Sequence, residues 1–127
     1  MAKRLMLDTN VYDLIVARRG FAERLNQAVL AGAIEILKTR VQDEEIARIP
    51  NARKRAAMRA IRSRVVPVSA AAWSGPRAPS EDAQILATAA EAVDVLVTED
   101  KEMRERAAAQ PIEVWGFDAL VAFVEAS

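Results

Sequence analysis

The sequence contains no cysteine and no histidine. Without cysteine there are no disulfides and no thiolate nucleophile, though this alone fixes no compartment. Without histidine as well, a His-based acid–base pair, a serine triad of the usual kind and a conventional zinc site are excluded. Any catalysis must rest on carboxylates, lysines, hydroxyls or a bound hard metal ion. Neither sign of charge is in surplus: 18 Lys+Arg face 18 Asp+Glu, so net charge points to no partner. Long uncharged apolar runs are also missing, and Met1-Ala2-Lys3-Arg4 leads into no signal-like segment. The expectation is a soluble, cytoplasmic chain with no membrane contact.

What is present suffices for a core. The 127 residues are 52% hydrophobic, which fits one folded domain spanning 1–127 and argues against disorder. The organising stretch is Leu5-Met6-Leu7-Asp8-Thr9-Asn10. Its apolar residues read as a short strand buried on both faces, and Asp8 stands where that strand stops. Thr9 and Asn10 can turn the backbone and cap a helix beginning at Val11. In open parallel sheets, ligands collect just beyond the carboxyl ends of the strands. An acid there is a site hypothesis, although helix capping alone would explain one isolated Asp.

Further along, Val11 to Ala17 continues the helix and Arg18-Arg19-Gly20 breaks it. Phe21, Leu25, Ala28 and Val29 recur at helical spacing, with Gly32 placed as a C-terminal cap. Ala33 to Leu37 reads as a second strand, and Thr39 caps a helix from about Arg40 to Ile49. Arg53 to Arg64 reads as a basic helix, and Val65-Val66-Pro67-Val68 as an edge strand, where proline is tolerated. Trp73 to Ser80 holds Gly75, Pro76 and Pro79 and reads as an exposed loop. Ser80 caps a helix from Glu81 to Ala92. Val93 to Val97 is a strand closed by Thr98-Glu99-Asp100-Lys101, with a short helix to Ala109. Pro111 to Trp115 and Phe117 to Glu125 give a last strand and helix. Alternating strands and helices predict an α/β fold, a three-layer α/β/α sandwich around a mostly parallel sheet.

Four acids are placed to meet. If the first strand and Val93–Val97 are central and parallel, Asp8 and Asp100 share one edge of the sheet. Asp82 lies in the first turn of its helix, where the dipole favours a carboxylate, yet also near the stripe of Ile85, Leu86 and Ala89. Val41 and Ile49 bracket Glu45 on one helical row, so Glu45 points inward while Glu44 turns toward Arg48 at the surface. Inward acids with no histidine and no evident buried lysine repel unless a cation compensates. Mg2+ or Mn2+ is the economical solution, since hard ions take oxygen ligands, polarise a phosphodiester and lower the pKa of a bound water. As surface charges and caps, the same acids need no function. Arg55, Arg59 and Arg62 follow one stripe that could track a phosphate backbone, although a solvated face explains them equally. Trp73 is the aromatic placed to touch a base, whereas Trp115 is expected in the core. Asp13, Asp94 and Asp118 take surface, strand-end and capping roles.

These motifs resemble the PIN-domain family, small metal-dependent ribonucleases that include the VapC-type toxins of toxin–antitoxin pairs. Leu7-Asp8-Thr9-Asn10 is similar to the family's first motif. The run Thr39 to Ile46 resembles the second, where a Glu directly precedes an aliphatic residue and so selects Glu45. Asp82 with Ile85, Ala87 and Ala89 resembles the third, and Val95 to Met103 the closing strand with its Thr-x-Asp. The resemblance implies Asp8, Glu45, Asp82 and Asp100 as ligands of one or two Mg2+ or Mn2+ ions. Thr9 and Asn10 would support the pocket, and Thr98 would hydrogen-bond an acid. It further implies endoribonuclease activity on RNA, a homodimer, and an antitoxin covering the groove; Arg55, Arg59, Arg62 and Lys101 are the candidates for contact with RNA, a role the sequence leaves open. Met103 departs from the family's usual aromatic, and the stretch Arg53 to Ser69 is less typical of the toxin branch. Two alternatives stand beside it: a PIN nuclease outside toxin–antitoxin systems, and a non-catalytic PIN fold that binds RNA or protein. A haloacid-dehalogenase-like phosphatase would want an acid where Asn10 stands. A receiver domain would want an Asp ending a middle strand.

Overall fold

The computed structural model describes residues 2–73 and 75–127; Met1, and Ser74 within the expected loop, lie outside them. The apolar run Leu5–Leu7 forms the buried half of strand β1 (Lys3–Leu7). The helices α1 (Thr9–Ala17) and α2 (Phe21–Leu30) follow, separated by Gly20 at φ 77°. Gly32, at φ 81°, ends α2 as its sequence position predicts and leads into β2 (Ile34–Thr39). Next come α3 (Arg40–Ala47), α4 (Ala52–Arg59) and β3 (Arg64–Val66). A 3-10 turn over Ala70–Trp73 precedes α5 (Glu81–Ala92) and β4 (Val95–Val97). The chain closes with α6 (Lys101–Ala107), β5 (Glu113–Trp115) and α7 (Phe117–Glu125).

The sheet order is β3-β2-β1-β4-β5, with every pairing parallel. The chain builds outward from β1 on one side and then returns to its other side, so the order reverses between β1 and β4. That reversal opens a crevice at the carboxyl ends of these two strands. Alternation along β1 divides the core. Leu5 and Leu7 join Ile34, Ile36, Val95 and Val97 beneath α1–α4 and α7. Met6, Leu37, Val66 and Leu96 pack instead against α5 and α6. The result is the expected three-layer α/β/α architecture. Each fully buried leucine here stabilises by about 1.5–3 kcal/mol relative to exposure.

Several expected boundaries move. Helix α1 begins two residues before Val11, because Asp8 rather than Thr9 or Asn10 caps it, its Oδ1 accepting the Thr9 N–H at 2.8 Å. The basic helix ends at Arg59 instead of Arg64. Ile61 leaves the helix to plug the core at 2% exposure, and the Arg62 N–H goes to the Asn26 side chain at 2.8 Å. Strand β3 stops at Val66, since Pro67 has no N–H to extend it. Val93 ends α5 rather than opening β4, and α3, α6 and β5 are each about two residues shorter than their patterns suggested. Met103, at 1% exposure, packs in the second core in place of an aromatic. Trp115 is half-buried against the first core, its indole N–H donating to Glu113 Oε2 at 2.6 Å. No described helix is long and apolar enough to cross a membrane.

Candidate functional site

Asp8 sits at the reversal point and is buried, with 6% exposure. Its Oδ2 accepts the Thr98 hydroxyl proton at 2.7 Å, which fastens the end of β1 to the end of β4. Thr98 is itself fully buried, and its Oγ1 accepts the Asp100 N–H at 3.1 Å. Asp100 then caps α6, its Oδ1 accepting the Met103 N–H at 3.1 Å. One threonine therefore holds two of the four expected acids in register. Burial raises the Asp8 proton affinity, the bonds from Thr98 and Thr9 oppose this, and Asp82 and Asp100 add to it. Both acids are thus near enough to Asp8 for their charges to be felt.

Glu45 is half-buried and faces the same edge. Burial pushes its pKa up from 4.5 to about 7, assisted by the neighbouring Glu81 carboxyl and by Asp8. Thr9 lies close enough to favour the ionised form. Its Oγ1 is nonetheless buried without a partner in hydrogen-bond geometry. Glu44 is exposed and lies between Arg40 at 3.5 Å and Arg48 at 3.7 Å, so the two adjacent glutamates separate as helical rotation requires. Asp82 is exposed in the first turn of α5, not tucked beside the apolar stripe. The buried stripe begins only at Ile85, one turn further from the sheet edge. Asn10 is exposed on α1.

Sequence reasoning missed Glu81. Its signal was available: Ser80 caps α5, so both acids of that first turn sit at the carboxyl edge. The expectation of no buried lysine also fails, since Lys38 is only 8% exposed. Its ammonium is 2.8 Å from Asp43, however, and among the described residues no lysine or arginine pairs with Asp8, Glu45, Glu81, Asp82 or Asp100. The basic stripe is broken up. Arg55 donates to the Ile49 carbonyl at 2.6 Å, Arg64 pairs with Glu35 and Lys54 with Asp13. Arg53, Arg59 and Arg62 remain exposed, as does Lys101 at the start of α6. Trp73 is 58% exposed. Asp13 is exposed, Asp118 lies in the first turn of α7, and Asp94 accepts the Arg4 N–H at 2.9 Å.

The donors are all hard oxygens, and among the described residues no ion pair offsets their mutual repulsion. That chemistry fits Mg2+ or Mn2+ rather than a soft ion. The acids nonetheless stand apart. Among the described residues no group of three or more is close enough to hold a metal ion.

No family model and no curated protein matches the chain. Among solved structures, its fold is similar to a chain in the crystal structure of VapBC2 from Rickettsia felis, bound to a DNA fragment from its promoter. The TM-score is 0.59 at 16% identity, over 89% of this chain and 98% of that one. A likeness of that size defines the class of fold: an α/β/α sandwich with an all-parallel sheet.

Proposed function

We propose that the protein is a PIN-like, metal-dependent endoribonuclease and the toxin of a toxin–antitoxin pair. The observation that carries this reading is the buried Asp8 at the reversal point, bonded to Thr98 and felt by Asp82 and Asp100. The likeness to a VapBC2 chain supports the toxin part, and it makes a cognate antitoxin the expected protein partner. Asp8, Glu45, Asp82 and Asp100 would hold Mg2+ or Mn2+, with Glu81 as a fifth acid beside Glu45. Bound there, the ion supplies charge neutralisation at the phosphodiester and activation of water. The chain's own residues do the rest. Thr98 orients the Asp8 carboxylate and favours its ionised form against the effect of burial, and Asp100 is fixed by capping α6. In the metal-free chain Glu45 holds its proton more tightly than an ordinary glutamate, and it would give that proton up on taking an ion. Arg59, Arg62 and Lys101, all exposed, can contact RNA phosphates; Arg55, already bonded to a backbone carbonyl, contributes less.

The rival reading is a binding module of the same fold, favoured by one observation: the acids are not drawn into a ligating group. Cleavage of a structured RNA pool by the purified chain separates the two. With Mg2+ or Mn2+ we expect cleavage that EDTA abolishes. Asp8→Asn, which keeps the shape and removes the charge, should reduce it at least 100-fold, an effect of about 2.7 kcal/mol. Glu45→Gln should impair it strongly and Glu44→Gln hardly at all. Wild-type activity in Asp8→Asn would sink the ligand assignment. Absence of both cleavage and Mn2+ binding would favour the module.

A further inference from the structure

We propose that Gln42 is a positioning residue that sets the gap between Asp8 and Glu45, its carboxamide standing as an extra rung between β1 and β2. The inference rests on the acid pocket proposed above. In the parallel ladder, alternate residues of β1 bond toward β2, as where the Lys3 N–H donates to the Ala33 carbonyl at 3.1 Å. The register runs from Lys3↔Ile34 to Met6↔Leu37. One step further, the ladder would join the Thr39 N–H directly to the Leu7 carbonyl. Both groups turn to Gln42 instead. The Thr39 N–H donates to Gln42 Oε1 at 3.0 Å, and Gln42 Nε2 donates to the Leu7 carbonyl at 2.5 Å. The ends of the two strands are therefore bridged through one amide instead of bonded directly, at the edge where the acids gather.

Helix capping does not require this arrangement. Thr39 and Gln42 form a capping box in which the Gln42 N–H returns to Thr39 Oγ1 at 3.2 Å, and only Oε1 completes it. A glutamate would serve the box equally well. It could not, when ionised, donate to Leu7. The donor nitrogen is what distinguishes glutamine here, and it reaches the residue immediately before Asp8. Gln42 also precedes Glu45 by three positions on α3, and it is fully buried. A single side chain thus fixes β1, β2 and the helix that carries Glu45.

The test is Mn2+ affinity by calorimetry on the full chain, read beside urea unfolding in EDTA. Gln42→Met keeps the volume and removes both bonds; we expect affinity to fall about tenfold or more. Ile46→Val creates a small cavity on the same helix and should lower the unfolding midpoint while leaving affinity within about twofold. If Gln42→Met does not fold, Gln42→Asn, which keeps the amide but falls short of Leu7, is read in its place. Wild-type affinity in the Gln42 variant overturns the inference, as does an equal loss in Ile46→Val. A wild-type chain that binds no Mn2+ overturns the pocket reading and this inference with it.

Discussion

Tyr12 and Glu45 are the two residues whose energetics are most exposed to test. The Tyr12 hydroxyl is buried without a partner, and burial with Asp43 nearby pushes its pKa far up. Tyr12→Phe removes a donor that makes no bond, so stability in urea should hold or rise by up to about 1 kcal/mol. Glu45 gives a pH dependence with a definite sign. Its native pKa of about 7 exceeds the ordinary 4.5, so between these values the folded state holds the proton more tightly. Stability of the metal-free chain should therefore fall as pH rises through that window and level off above it. Unfolding in EDTA at about pH 5 and about pH 8 should show a shallower fall for Glu45→Gln, which should be the more stable form at the higher pH. A wild-type chain that gains stability across the window would contradict the account. At this scale the sequence was a good guide to where Asp8, Thr98 and Asp100 lie, and to the different directions of Glu45 and Glu44. Strand ends and helical rotation place such residues. It was a poor guide to Gln42 and Lys38, because their burial depends on which strands are neighbours, and no local pattern carries that.

Among the elements, the loop from β4 to α6 is secured from outside. Glu99 Oε2 accepts the Phe117 N–H at 2.8 Å and lies 3.3 Å from Arg104, whose guanidinium donates to the Thr98 carbonyl at 2.9 Å. Glu99 thus stands in for the side-chain cap that Gly116 cannot supply to α7. A Cβ on Gly116 would lie 2.7 Å from Glu99 Oε2 and 2.9 Å from Arg104 Nη2. Gly116→Ala should therefore displace these two side-chain ends and cost no more than about 1 kcal/mol, the worth of the cap, measurable in urea. The strands and helices themselves were legible from apolar periodicity and capping residues. Their ends were not, because the core packing of Ile61 and the tertiary bonds made by Asn26 and Asp94 decide them. The turn at Ala70–Trp73 had a signal in Ser69, whose Oγ accepts the Ala71 N–H at 3.1 Å, but it is too short for periodicity to reveal.

For the whole molecule, the architecture followed from the alternation of strands and helices, whereas the strand order did not. Only the pairing of β1 with β4 brings Asp8 to Thr98, and that contact is 90 positions long in sequence. The basic surface belongs to this scale too. Within the segment from Arg53 to Arg64, three exposed arginines (Arg53, Arg59 and Arg62) remain after ion pairing and backbone bonds occupy Lys54, Arg55 and Arg64, and Arg59 and Arg62 lie near the end of α4. Replacing both by alanine should weaken RNA binding across sequences alike. The log–log salt slope should drop by up to about 0.7 for each charge removed. An unchanged slope would place the RNA path elsewhere.

The central position of β1 also bears on how the chain is made. It precedes β4 in the chain, so one edge of the strand stays open until Val95–Val97 have been synthesised. The Asp8 carboxylate receives its threonine one residue later still. A nascent or prematurely ended chain therefore carries Asp8 and Glu45 but not the pocket. On the proposed function, a chain broken off before Thr98 has no assembled pocket for a partner to cover.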